Sequence, residues 1–89
     1  MRLIPSPDAI CQEIGGETVI LDLSGESYIG LDEVATRIWQ LLQAGVAPPQ
    51  IVTQLLLEYD ADRTTIEADV DRFIAELLEL GLLGTEATP

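Results

Sequence analysis

The sequence predicts an α+β domain of three short strands followed by three helices, and three observations predict it. Period-two alternation, broken by Gly15-Gly16 and Ser24-Gly25, fills the first third of the chain. From Val34 onward the apolar residues recur instead at three- and four-residue spacing. The change comes without a linker, in the run Glu26-Ser27-Tyr28-Ile29-Gly30-Leu31-Asp32-Glu33-Val34-Ala35-Thr36-Arg37-Ile38-Trp39. The last strand therefore feeds directly into a core helix, and its register cannot slip without pulling Ile38 and Trp39 out of the interior. The 89 residues are read as one domain, 1–89, with one core.

Residues 1–9 hold Pro5 and Pro7 and no sustained period, so they read as an extended arm that frays. Ile10 to Ile14 is a short strand, and Gly15-Gly16 supplies the positive φ angles of a two-residue hairpin. Thr18 to Leu23 alternates, with Val19, Leu21 and Leu23 on one face and Thr18, Ile20 and Asp22 on the other. A second hairpin at Ser24-Gly25 leads to a third strand, Ser27 to Leu31, which completes a meander. Asp32 caps the first helix, whose apolar set is Val34, Ala35, Ile38, Trp39, Leu41 and Leu42. That helix stops near Ala44-Gly45. Proline opens the second, from Pro49 to Tyr59, with the stripe Ile51, Val52, Leu55, Leu56 and Tyr59. The third begins near a Thr64/Glu67 capping box, with Asp62 as the alternative cap, and ends at Gly81. Its apolar residues Ile66, Val70, Phe73, Ile74, Leu77, Leu78 and Leu80 cover about 160 degrees of the wheel, wider than a single contact needs. Asp69, Arg72 and Glu76 border that arc; the plain reading makes them a solvated row of weak ion pairs.

Composition excludes several function classes. A hydrophobic fraction of 47% suits a packed core rather than disorder. No apolar run approaches the roughly 20 residues that span a bilayer, and the first residues lack a signal peptide's apolar core, so the reading expects a cytoplasmic protein without membrane partners. The net charge is −12, from sixteen acidic residues and four arginines. Such a surface repels a phosphate backbone, which excludes nucleic acid and suits a basic or uncharged apolar partner. One Cys11 and no histidine leave neither a disulfide nor the usual metal ligands or nucleophile–base pairs. Cys11 itself reads as a packing residue or surface thiol, because nothing nearby would lower its pKa. The carboxylates lie on polar helix faces without a pocket to separate their pKa values, and no phosphate-loop pattern exists. No catalytic, cofactor-binding or metal-binding residue is expected; Trp39 and Tyr59 read as core.

The segments Val19-Ile20-Leu21-Asp22-Leu23, Tyr28-Ile29-Gly30-Leu31-Asp32, Ala35 to Leu42, Ala68-Asp69-Val70 and Leu77 to Leu83 together resemble the PqqD-like family, the recognition elements for precursors of ribosomally made, modified peptides. The resemblance covers about residues 9 to 83. Asp32 stands where the family commonly has Asn; both residues cap helices. The Ile38-Trp39 pair resembles the standalone members of lasso-peptide clusters.

The resemblance implies a winged helix-turn-helix that does not bind DNA. It implies that the leader segment of a precursor peptide adds as an antiparallel strand to the third strand and packs on the third helix. It also implies two further partners, a separate cysteine-protease-type leader peptidase and an ATP-dependent cyclase. The residues expected at the peptide are Glu26, Ser27, Tyr28, Ile29 and Gly30 of the strand, with Asp69, Val70, Arg72, Phe73, Glu76 and Leu77 of the helix. The residues themselves offer compatible parts: a strand edge without Lys or Pro and a helix of surplus apolar width. A winged-helix transcriptional regulator would need a basic recognition helix, and Pro49 to Tyr59 carries no cation. An acyl-carrier-like protein would need its prosthetic serine at a helix start, whereas Asp22-Leu23-Ser24 lies in a hairpin.

Overall fold

A computed structural model describes residues 2–25 and 27–86. The order is β1 (Arg2–Pro5), β2 (Ala9–Ile14), β3 (Glu17–Asp22), β4 (Tyr28–Leu31), α1 (Glu33–Gln43), α2 (Pro48–Glu58), α3 (Arg63–Glu79) and β5 (Leu83–Glu86). The meander β2-β3-β4 is antiparallel throughout and is the predicted sheet. Its register pairs Cys11 with Ile20 and Ile20 with Ile29, and pairs Thr18 with Leu31. Paired residues point to one side of a sheet, so Ile20, Ile29 and Leu31 face the helices while Ile10, Val19, Leu21 and Tyr28 face away. Ile20 is wholly buried and Leu31 nearly so.

The extended arm is a correction. Arg2–Pro5 does not fray but pairs antiparallel with Leu83–Glu86 in a second, two-stranded sheet. The arm has no period of its own because its order comes from a partner at the other end of the chain. β1 packs against α1, and β5 against α3. The surplus apolar width of α3 is thereby largely accounted for: it meets α2 on one flank and β5 on another.

The helix ends follow local rules. Asp32 Oδ1 accepts the Ala35 N–H at 2.8 Å, as the cap reading expects. Both α1 and α3 end in the same way. Gly45 (φ +83°) and Gly81 (φ +76°) take the left-handed conformation. The next residues, Val46 and Leu82, then donate back to Leu41 and Leu77, each at 3.0 Å. At the start of α3 the Thr64/Glu67 capping box does not form. Asp62 is the N-cap residue without a side-chain cap bond, and Glu67 is taken instead by Arg63 at 2.8 Å.

Trp39, Ile38, Leu42, Ile51, Leu55, Val70 and Leu77 meet in one core, which places Trp39 inside as expected. Tyr59 packs against its margin. Cys11 is exposed, a surface thiol. One ion pair ties α1 to α2. Arg37 Nε and Nη2 donate to the two Glu58 oxygens at 2.8 and 2.9 Å, and Gln54 Nε2 donates to the same carboxylate at 2.7 Å. These bonds hold the Glu58 carboxyl below its ordinary pKa and raise that of Arg37.

Two outcomes follow. Trp39→Ala should lower unfolding free energy by about 3 to 5 kcal/mol in urea melts, through lost burial and the cavity left behind. A depressed carboxyl stabilises above its unfolded pKa and loses that contribution as pH falls through its folded value. The melting-temperature difference between wild type and Glu58→Gln should therefore be fully present at neutral pH and vanish below the ordinary carboxylate range. A difference independent of pH would exclude the charged clamp.

Candidate functional site

The hydrogen-bond parity of the meander decides what β4 offers. Asp22 N–H donates to the Ser27 carbonyl at 3.0 Å. Bonded pairs alternate along an antiparallel ladder, so Ile20–Ile29 and Thr18–Leu31 are the bonded pairs between β3 and β4. The N–H and C=O groups of Tyr28 and Gly30 therefore turn outward, to an edge that pairs with no strand among the described residues. Four unmet backbone groups in a four-residue strand form a template for one more strand.

Beside that edge lies a cavity of about 220 Å³ between β4, α1 and α3. Its floor is apolar: Ile29, Val34, Ala35, Ile38 and Phe73. Its rim is polar: Asp32, Asp69, Arg72 and Glu76. Arg72 Nη2 donates to Asp69 Oδ1 at 3.1 Å, an exposed pair that adds little to stability. The volume suits one large side chain or two small ones and is below the usual size of a small-molecule site. A larger cleft of about 520 Å³ is lined by Glu17, Thr18, Arg37, Gln40 and Tyr59. It lies where the start of β3 and the Leu31 end of β4 meet α1. There, burial first and the nearby acids second raise the Tyr59 phenol pKa.

The structure brings together Ile29, Gly30, Asp69, Arg72, Phe73 and Glu76 of the expected peptide contacts. Tyr28 is exposed at the free edge, and Ser27 precedes it with its carbonyl already engaged by β3. Glu26 lies outside the described residues. Val70 and Leu77 belong elsewhere. Both are wholly buried in the core, and neither lines the cavity beside β4. They sit mid-arc on α3, where the helix faces its neighbours, whereas Asp69, Arg72, Phe73 and Glu76 occupy the edge facing β4. Sequence reasoning missed Asp32, Val34, Ala35 and Ile38, the α1 wall of the cavity. The available signal was the breadth of the α1 stripe, in which Val34 and Ala35 remain half-exposed while Trp39 and Leu42 fill the core.

No helix among the described residues is long and apolar enough to cross a membrane. Those residues also contain no group of three His, Cys, Asp or Glu side chains able to hold a metal ion.

Comparison with known proteins finds relatives of the same shape. The solved structure of TbiB1 in complex with the TbiA(beta) leader peptide is 38% identical, with a TM-score of 0.82 over 99% of this chain and 100% of the other. A lasso peptide synthetase B1 complexed with its leader peptide is 26% identical, with a TM-score of 0.83 over 96% of this chain and 100% of that one. A PqqA binding protein from Rhodopseudomonas palustris (strain HaA2) is 37% identical over 65 residues, or 73% of this chain. The match spans 63% of that relative's length. The profile described as Coenzyme PQQ synthesis protein D (PqqD) matches residues 17–83, from the start of β3 to the first residue of β5. Profile and sequence thus agree, and the chain belongs to the PqqD family.

Proposed function

We propose that this protein is a non-catalytic recognition domain that holds the leader segment of a ribosomally made precursor peptide of the lasso class. It presents that leader to a separate cysteine-protease-type peptidase and an ATP-dependent cyclase. The observation that carries this reading is the coincidence of a free strand edge with an apolar, polar-rimmed cavity beside it. Two similar structures are complexes with leader peptides, which supports it.

The physical chemistry runs from backbone to side chain. An incoming peptide pairs with the N–H and C=O groups of Tyr28 and Gly30. Antiparallel addition continues a sheet that is already antiparallel and gives the slightly stronger ladder. Backbone pairing supplies affinity without selectivity. Alternate peptide side chains enter the cavity, where Ile29, Val34, Ala35 and Phe73 select an apolar group and the rim selects its polar tip or flanking charge. The contact set is therefore Ser27, Tyr28, Ile29 and Gly30 with Asp69, Arg72, Phe73 and Glu76, extended by Asp32, Val34, Ala35 and Ile38.

A DNA-binding winged helix is not favoured. α2 contains no cation, and the three arginines whose side chains are described all bond acids: Arg37 with Glu58, Arg63 with Glu67, Arg72 with Asp69.

Fluorescence anisotropy should show binding of the labelled TbiA(beta) leader peptide, or of the leader encoded beside this gene, and no salt-sensitive binding of random duplex DNA. The opposite pattern would overturn the proposal. Ala35→Glu places a carboxylate on the cavity floor in the first turn of α1, where the helix dipole tolerates it. It should leave the melting curve nearly unchanged and weaken leader binding by about 1 to 3 kcal/mol. Amide exchange gives a sharper check: on binding, protection should rise at Tyr28 and Gly30 but hardly at Ile29, whose N–H already serves β3. Gains confined to Ile51–Leu55 would put the peptide on the other side of the domain.

A further inference from the structure

The cleft of about 520 Å³ at the end of the sheet shares only Asp32 with the proposed peptide contacts, and its charge is one-sided. Its one cation, Arg37, is already engaged: Glu58 accepts from Nε and Nη2, and Gln40 accepts from Nη1 at 3.3 Å. Glu17 and Glu33 also line it, both exposed, and neither pairs with a cation among the described residues. The positive end of the α1 dipole, about half a charge, is outweighed by Asp32 and Glu33 beside it. Tyr59 supplies a half-buried aromatic wall. Burial, and after it the fields of Glu33, Glu58 and Asp32, hold its phenol above the ordinary pKa, so these acids act on the same space. A cleft with unpaired carboxylates and an aromatic wall suits a cationic side chain, whose charge and stem are both received.

This cleft is continuous with the peptide edge through Leu31 and Asp32, the second of which also lines the cavity beside β4. A peptide paired antiparallel with Tyr28 and Gly30 runs against β4. Its N-terminal side therefore leaves the sheet at Leu31 and Asp32, and its C-terminal side leaves at the opposite end, past Tyr28. The added strand lies two strand spacings, about 10 Å, from β3, where Glu17 stands. Two or three extended residues cover about 7 to 10 Å, so a side chain that far upstream reaches the cleft.

Resting on the proposed leader binding, we infer that the cleft receives a lysine or arginine side chain from the part of the leader just N-terminal to its strand-paired segment. The cation lies against Glu17 and Glu33 with its stem on Tyr59. Both carboxylates are exposed, so the contribution is modest and screened by salt. Its effect is on direction and register. Backbone pairing alone fixes neither, whereas a cation matched to the Leu31 end holds the leader antiparallel and stops it sliding along the edge.

Fluorescence anisotropy tests this. The segment of the labelled TbiA(beta) leader that suffices for binding is found by truncation, then N-acetylated peptides are made with three lysines or three glutamines before it, and with three lysines after it. At low salt, wild type should bind the peptide with lysines before the segment at least fivefold tighter than the glutamine peptide, and the gap should close as salt is raised. Lysines after the segment should gain at most twofold. Glu17→Gln/Glu33→Gln should cut the gap to under twofold while binding the glutamine peptide within twofold of wild type. Asp71→Asn/Glu79→Gln, an equal loss of charge on exposed positions of α3, should keep the gap. Melting curves establish that both variants fold. No gap in wild type, or equal gaps in the two double variants, would overturn the inference. Failure of every peptide, and of the intact leader, to bind wild type would instead overturn the proposed function, so the two failures are distinguishable.

Discussion

Everything in this domain hangs on the join between Leu31 and Asp32. Leu31 is buried under the helices and pairs with Thr18, so it belongs to the sheet. Asp32, one residue later, fixes the first turn of α1 through the Ala35 N–H. No flexible residue separates them. The edge of the sheet and the wall of the cavity are therefore joined without a linker, and the separation between Gly30 and Val34 is held by the Leu31–Thr18 pairing on one side and the Asp32 cap on the other. A site carried on a strand and a helix in this way has less to order than one built from loops.

The acids make sense against this frame. The cavity floor is neutral, and the rim has one arginine, already paired with Asp69. Charge therefore acts at the margins, where it sorts partners by sign, while the apolar floor and the backbone hold them. The Arg37–Glu58 clamp does separate work on the far side of α1, tying it to α2.

Much of the fold was legible because it is written locally. The alternation of Thr18 to Leu23, the cap at Asp32 and the glycines at 45 and 81 each report on neighbours a few residues away, and the structure has a strand, a cap and two helix ends there. β1 and β5 were not legible. Each is four residues long, Pro5 and Gly84 dilute their strand character, and each is ordered by partners distant in sequence, the other strand and a helix. The site was half legible for a related reason. A helical wheel orders the residues of α3 around their own axis but does not say which neighbour lies in which direction, so Asp69 and Phe73 were named together with the buried Val70 and Leu77. Which backbone groups of β4 point outward depends on pairing parity, and that cannot be known before the register.

The pairing of Arg2 with Glu86 joins positions near opposite ends of the chain, the longest sequence separation of any strand contact here. The entropy of closing such a loop opposes early formation, whereas the hairpins and helices close over short spans. The ribbon therefore closes late, once α1 and α3 are in place to receive Leu3 and Leu83. Its closure carries Leu83 into the core that Leu82 also joins, and it does not involve the Leu31–Asp32 join. The domain thus has a long-range closure and a local one, and the free edge of β4 belongs to the latter.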